Sequence, residues 1–246
     1  MEPTAQGKAL YTQLAISMDT FERVSNTLHQ IPAQEIPSIR LGAPFDYFHA
    51  RGWHQLKEAL FRLHLEFGET DELIDGIGKG RLDGAITTQQ IAAPHIDYTK
   101  RGTEEFCLIG SSEAPNPEGI TADSRRDGSL ERALLDYPWI SYSEELPIIR
   151  RFWQVIFGKR PNIVPVAVVP SLLMIRTLVE SGRGISVLPR YICEQALQEG
   201  RLRELWRAEE SICNDLWIAT RKVDRNKPEI SQLKSLMTVD YQNSAD

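Results

Sequence analysis

The residues of this chain that could do chemistry are hydroxyls and charges at the ends of expected elements, not clusters of reactive groups. Ser171 opens the stretch SLLMIRTLVESGRGISVLP (171–189), in which Leu172, Ile175, Leu178 and Val179 share one helical face. A serine at a helix start accepts from the first free amides, and those amides, with the helix dipole, favour an anionic group. Ser171 therefore reads either as a plain cap or as a ligand contact. Other chemistries fail on spacing. Gly76, Gly78 and Gly80 close a helix instead of opening one after a strand, so they read as a C-cap and turn, not a phosphate loop. His49, His54 and His64 lack the three- or four-residue spacing that puts two ligands on one helical face. Cys107, Cys193 and Cys213 are far apart without CxxC spacing and read as free, buried thiols. Glu104 and Glu105 point to opposite faces of a strand, which rules out a general acid/base pair. SGRGIS lacks the central serine of a nucleophile elbow, and Arg125–Arg126, Arg150–Arg151 and Lys159–Arg160 read as solvated charge. No catalytic residue, metal or cofactor is expected, and an enzyme has no constellation to stand on.

The elements that must position Ser171 follow from pattern. Ile163 to Val169 is β-branched and reads as a buried strand. Gly182 and Gly184 are expected to end the helix in left-handed conformation, and Ile185 to Leu188 to form a strand that Pro189 stops. Strand, helix, glycine turn and strand make a βαβ unit, whose ligands lie at the carboxyl ends of the strands. Upstream, strands are expected at 38–43, 64–69 and 82–87. Helices are expected between them at 50–63, with Trp53, Leu56, Leu60 and Leu63 inward, and at 71–77, capped by Asp71. Residues 98–111 read as an extended segment interrupted at 102–105, and 112–128 as a loop. Short helices at 130–135, 148–157 and 191–198, a strand at 139–142, a late strand at 215–221 and a last helix at 228–239 complete the order. Two α/β units thus flank two extended crossings, near 103–107 and 203–207.

Residues 4–31 carry a different pattern. Leu10, Leu14, Ser17, Phe21, Val24, Leu28 and Ile31 alternate steps of four and three, the a/d seam of a coiled coil, so one long helix stopping before Pro32 is expected. It could pack on its own domain, but the narrow seam and polar flanks favour an inter-chain role through Leu10, Leu14, Phe21, Val24 and Leu28. The 246 residues are long enough for two compact domains, and 41% hydrophobic with 25% charged residues is ordinary for a globular protein. No apolar run nears the roughly 18 residues of a membrane helix, and the N-terminal residues lack the apolar core of a secretory signal, so a cytoplasmic protein is expected. A net charge of −6 argues against a nucleic-acid surface on these residues.

Together these words resemble the LysR-type transcriptional regulators. PTAQGKALY resembles the family's junction between winged-helix reading head and linker helix. SIRLGA, DELIDGIGKGRLDGAI, EEFCLIGSS, LLDYPWISY and VESGRGISVLP match its effector-domain landmarks in order, from Thr4 to about Met237. The resemblance implies an α/β fold of two Rossmann-like lobes, of type 2 periplasmic-binding-protein form, preceded by a long linker helix. It divides the chain into a linker and dimerisation helix (4–32), lobe I (36–104 with 206–246) and lobe II (105–205). It also implies a small-molecule effector between the lobes and a dimer or tetramer. DNA would be read only through a winged helix-turn-helix, which these residues do not include; no membrane is involved. A solute-binding protein of the same fold is the rival reading.

Carried over residue by residue, the effector positions are Ala43, Phe45, Asp46 and Tyr47 after the first strand, Thr87 and Thr88 ending the third, Gly102 and Thr103 in the crossing, Tyr142 and Ser143, then Val169 and Ser171. The first loop departs from the family, with Pro44 and Asp46 where small hydroxyl residues are usual. Asp46 would repel a carboxylate, which points to an effector with a cationic or donor group, or an aromatic surface, on that side. A plain N-cap is the other reading of Asp46.

Overall fold

The computed structural model describes Thr4, Leu14, Met18 and residues 36–114, 128–207 and 211–237. The chain divides into two units, 1–37 and 38–246. Of the seam residues, Leu14 is helical and exposed; Leu10, Phe21, Val24 and Leu28 lie outside the described residues. No helix among the described residues is long and apolar enough to cross a membrane.

The second unit is built on a seven-stranded sheet. β1 (Ser38–Ala43) pairs in parallel with β2 (Arg62–Phe67) and β3 (Gly84–Thr87). The connections are helical: α1 comprises three short pieces, Phe45–Tyr47, a π-helical Phe48–Gly52 and Trp53–Gln55, and α2 is Thr70–Gly78. This is the expected βαβαβ half-sheet. β3 then pairs antiparallel with β9 (Ile212–Arg221), and β9 with the first part of β4 (Ile96–Ser111). The far end of β4 pairs antiparallel with β7 (Ser186–Pro189) and β8 (Leu202–Trp206). β4 runs through both halves of the unit as one strand of 16 residues. The irregularity expected around Gly102 is a register shift between Lys100 and Gly102, not a break.

Helices cover the sheet with their apolar faces. Tyr47 and Phe48 of α1, Leu56 just after it, and Ile230 and Leu233 of α7 (Pro228–Leu236) pack on Ile39 and Leu41 of β1. Leu73, Ile74 and Ile77 of α2 pack on Ala85 and Ile96. In the other half, α3 (Ser129–Leu135) and α4 (Pro147–Phe157) enclose Trp139, whose indole donates to the Leu134 carbonyl at 2.8 Å and meets Trp153 edge-on at 5.3 Å. Ile175 and Val179 of α5 (Leu172–Glu180), with Ile192 and Cys193 of α6 (Arg190–Gln198), pack on Ile109 and Leu188.

Several expectations change. The 50–63 helix starts at Phe45 and ends at Gln55, and Trp53 and Leu60 face solvent at 60% and 75% exposure, because β2 begins at Arg62 and the chain must turn first. Residues 163–169 are not a buried strand: only Ala167–Val168 pair, with β5 (Ile140–Ser141), and Val164 and Val166 are exposed. A β-branched run is equally at home on an edge with one neighbour. β6 (Ala167–Val168) therefore reaches β7 only through β5 and a parallel bridge, Trp139 to Ile185. Residues 202–206 are β8, paired with the far end of β4, and β9 follows along the rest of that strand. Glu69, not Asp71, caps α2, in a reciprocal box with Glu72. Cys213 is exposed, unlike Cys107 and Cys193. Gly182 is left-handed (φ 76°), but Gly184 is not; it is needed because a Cβ there would lie 2.3 Å from the Pro138 carbonyl oxygen.

Candidate functional site

A cavity of about 510 Å³ lies where β1, β3 and α1 face the starts of α4, α5 and α6 across β4 and β9. That size suits a small organic ligand. Each wall begins at an element's end. Pro44, extended at φ −62°, follows β1 directly and starts α1 at Phe45, so Phe45, Asp46 and Tyr47 turn into the cavity within one turn. Phe67 ends β2, and Phe45 and Phe67 meet edge-on at 5.1 Å, both half-exposed. Glu69 enters from the N-terminus of α2, Tyr142 from just beyond β5, Tyr191 from the first turn of α6.

Asp46 makes the decisive contacts. Its carboxylate accepts from the Leu172 amide at 2.8 Å, the Leu173 amide at 3.3 Å and the Ser171 hydroxyl at 3.2 Å. Ser171 in turn caps α5 by accepting from the Met174 amide at 3.3 Å. The first three amides of α5 are thus all satisfied within the chain, two of them by a residue 126 and 127 positions away. Asp46 does not cap its own helix: Pro44 holds the N-cap position of α1, with no side-chain cap.

A second carboxylate bridges the cavity. The Tyr142 hydroxyl donates to Glu69 at 2.7 Å. Burial, then the hydrogen bond and charge of Glu69, push the Tyr142 phenol well above its ordinary range, so it stays a donor. On the floor, Glu104 is 5% exposed and accepts from the Tyr191 hydroxyl at 3.2 Å and the Asn214 amide at 3.1 Å. Burial raises the Glu104 carboxyl above its ordinary range against the lowering pull of those bonds and of Arg151. Arg151 donates to the Asn214 side-chain oxygen at 2.6 Å and the Cys213 carbonyl at 2.9 Å. Tyr191 is held edge-on by Tyr47 at 6.1 Å and lies under the Arg51 guanidinium at 5.5 Å. Among the described lining residues, Asp46, Glu69 and Glu104 stand against Arg151 alone.

Of the residues the sequence singled out, Phe45, Asp46, Tyr47, Thr88 and Tyr142 line this cavity. Ser171 stands behind Asp46 as its partner and as the cap of α5. The others lie outside the lining. Ala43 and Thr87 are fully buried beneath it, the Thr87 hydroxyl without a hydrogen-bond partner among the described residues. Gly102 and Thr103 pair with Leu216 and Asp215 on β9. The Ser143 carbonyl accepts from the Ser141 hydroxyl at 2.8 Å, and Val169 is partly buried against the core. Phe67, Glu69, Glu104, Arg151, Tyr191 and Asn214 were not singled out as ligand contacts. For Glu104 a signal existed: Glu104 and Glu105 do face opposite ways, Glu105 pairing with Arg190 at 3.0 Å while Glu104 faces the cavity. Nothing in the sequence marks Arg151 or Asn214, whose pairing depends on α4 packing beside β9.

Residues 58–238 match the LysR substrate binding domain. The chain belongs to that family. AbaB of Streptomyces antibioticus, an HTH-type transcriptional regulator, is 34% identical over 139 residues, covering 56% of this chain and 45% of that protein. The chain thus spans about half the length of the curated relatives it matches. Among solved structures, ArgP from Mycobacterium tuberculosis superposes with a TM-score of 0.68 at 14% identity, covering 90% of this chain and 73% of that one. Full-length LysG from Corynebacterium glutamicum with bound effector Arg gives 0.62 at 15% identity, covering 97% and 80%. These likenesses show the fold, the periplasmic-binding-protein-like α/β architecture of LysR substrate-binding domains.

Proposed function

We propose that this chain is the effector-sensing and oligomerisation part of a LysR-type transcriptional regulator acting in the cytoplasm, and that its effector carries a cationic group. In this reading 36–104 with 206–246 form lobe I, 105–205 form lobe II, and 4–32 join subunits into a dimer or tetramer. DNA is read by a winged helix-turn-helix outside these residues. The effector settles between the lobes and shifts the balance of lobe or subunit arrangements by its differential affinity for them.

One observation carries the charge assignment: among the described residues three carboxylates and one guanidinium line the cavity, and the amides that could take an effector carboxylate at α5 are already held by Asp46. A guanidinium or ammonium group is favoured beside Glu69 and Glu104, and an aromatic or aliphatic body against Phe45 and Phe67. LysG, solved with arginine bound, offers a precedent within the same fold. The test is calorimetry of the chain against arginine, lysine, simple diamines and dicarboxylates. Saturable binding of the cationic compounds, weakened in Glu69→Gln, is expected. Tight binding of a simple dicarboxylate refutes the reading.

A further inference from the structure

We propose that Asp46 sets which charge class the cavity accepts, acting as a built-in carboxylate that fills the N-terminus of α5 and denies that end to an anionic ligand. The proposal refines the effector reading above, but its own test needs no cationic effector to bind.

The geometry is specific. Helix starts offer free amides to whatever acceptor is near, and in α5 (nine residues, Leu172–Glu180) the allocation is complete. Met174 donates to Ser171, and Leu172 and Leu173 donate to the two oxygens of Asp46 at 2.8 and 3.3 Å. The Ser171 hydroxyl donates its proton to the same carboxylate at 3.2 Å and so turns no donor toward the cavity. Asp46 is only 7% exposed, although it lies in the cavity wall, so its carboxylate sits inside the pocket's end and not at its rim. Pro44 and the short turn Phe45–Tyr47 hold it there, anchored through Tyr47 and Phe48 to the β1 core. A ligand carboxylate approaching α5 meets a filled donor set and a fixed negative charge, with Glu69 on the same cavity adding to the repulsion.

A merely structural role makes a different forecast: removing Asp46 would lower stability and leave ligand charge preference alone. The experiment uses acetate as the probe and follows the backbone amide resonances of Leu172 and Leu173 in the wild type, Asp46→Ser and Asp46→Asn. The wild-type amides are expected to respond only weakly to acetate. In Asp46→Ser they are expected to shift saturably, with apparent acetate affinity about ten-fold higher, within the range of a charge at a helix end. Asp46→Asn keeps an acceptor but loses the charge, so a smaller gain is expected there. Thermal unfolding checks that each variant is folded. If Asp46→Ser does not fold, Asp46→Asn carries the test. Equal acetate response in wild type and variant, or no response in a folded variant, overturns the proposal. Failure of cationic compounds to bind the wild type would refute the effector reading and leave this result standing.

Discussion

Replacing Gly184 by alanine tests whether the turn between α5 and β7 is set by backbone approach or by glycine's conformational freedom. An added Cβ at 184 would lie 2.3 Å from the Pro138 carbonyl oxygen, 3.1 Å from its carbon and 3.3 Å from Ile140 Cγ1. The contacted atoms are mostly backbone and cannot swing away. They are also tied: Ile185 donates to the Pro138 carbonyl at 2.8 Å and Ile140 donates to the Ile185 carbonyl at 2.9 Å, on either side of fully buried Trp139. Relieving the clash pulls these segments apart. Two backbone hydrogen bonds at about 1 kcal/mol each, plus about 1–2 kcal/mol of overpacking, give a loss of about 3–4 kcal/mol. Gly182 is the control. It is left-handed, and its nearest neighbour, the Ser111 hydroxyl, is 3.9 Å away, so Gly182→Ala should cost about 1 kcal/mol of conformational strain. Urea unfolding monitored by tryptophan fluorescence measures both. Losses within 1 kcal/mol of each other would refute the close-approach account, as would a Gly184→Ala protein of wild-type stability.

Three further outcomes are expected. Asp83 is partly buried, but hydrogen bonds from Arg40 and Arg221 outweigh that burial and hold its carboxyl near a pKa of about 2 against an ordinary 3.8. The pair therefore contributes stability above pH 3.8 that is lost as pH falls from there toward 2. Asp83→Asn should cost about 1–2 kcal/mol at neutral pH, after discounting for the half-exposed Arg40, and flatten that acid limb in a pH series of unfolding curves. Glu104 is shifted the opposite way by burial, so the folded state holds its proton longer than the unfolded chain and stability falls as pH rises above the ordinary 4.5. Glu104→Gln should remove that decline, and an unchanged slope above pH 4.5 would contradict the assignment. Tyr142→Phe deletes the 2.7 Å bond to Glu69 and should lower stability by about 1 kcal/mol, read by thermal unfolding; an unaltered midpoint would show that the bond contributes nothing.

Much of the fold was legible because local rules and tertiary packing agree in it. α5 illustrates this: its serine cap, its Ile175 and Val179 face and its glycine stop are each readable from neighbouring residues, and each is present in the structure. The alternation of strands and helices through 38–87 was readable for the same reason. Where the reading failed, two structures were compatible with one local pattern. The β-branched run at 163–169 suits a core strand or an exposed edge, and only the number of strands available to pair with it decides between them. Trp53 and Leu60 have helical spacing with Leu56, but the helix ends at Gln55 because the edge strand β2 must begin at Arg62.

The candidate site divides the same way. From the sequence came the family resemblance, the loop 43–47, Tyr142 and the start of α5, together with the departure at Asp46 and its consequence for effector charge. What the carboxylate does there required the tertiary structure. Its partners lie 125 to 127 residues away in the chain, and no local spacing encodes a hydrogen bond across that distance. The same holds for Glu69 with Tyr142, 73 residues apart, and for Glu104 with Tyr191 and Asn214. Sequence determined which groups exist and which helix ends need partners. Only the packing of the two halves about β4 and β9 decided which carboxylate meets which donor, because that pairing depends on through-space distance and not on separation along the chain.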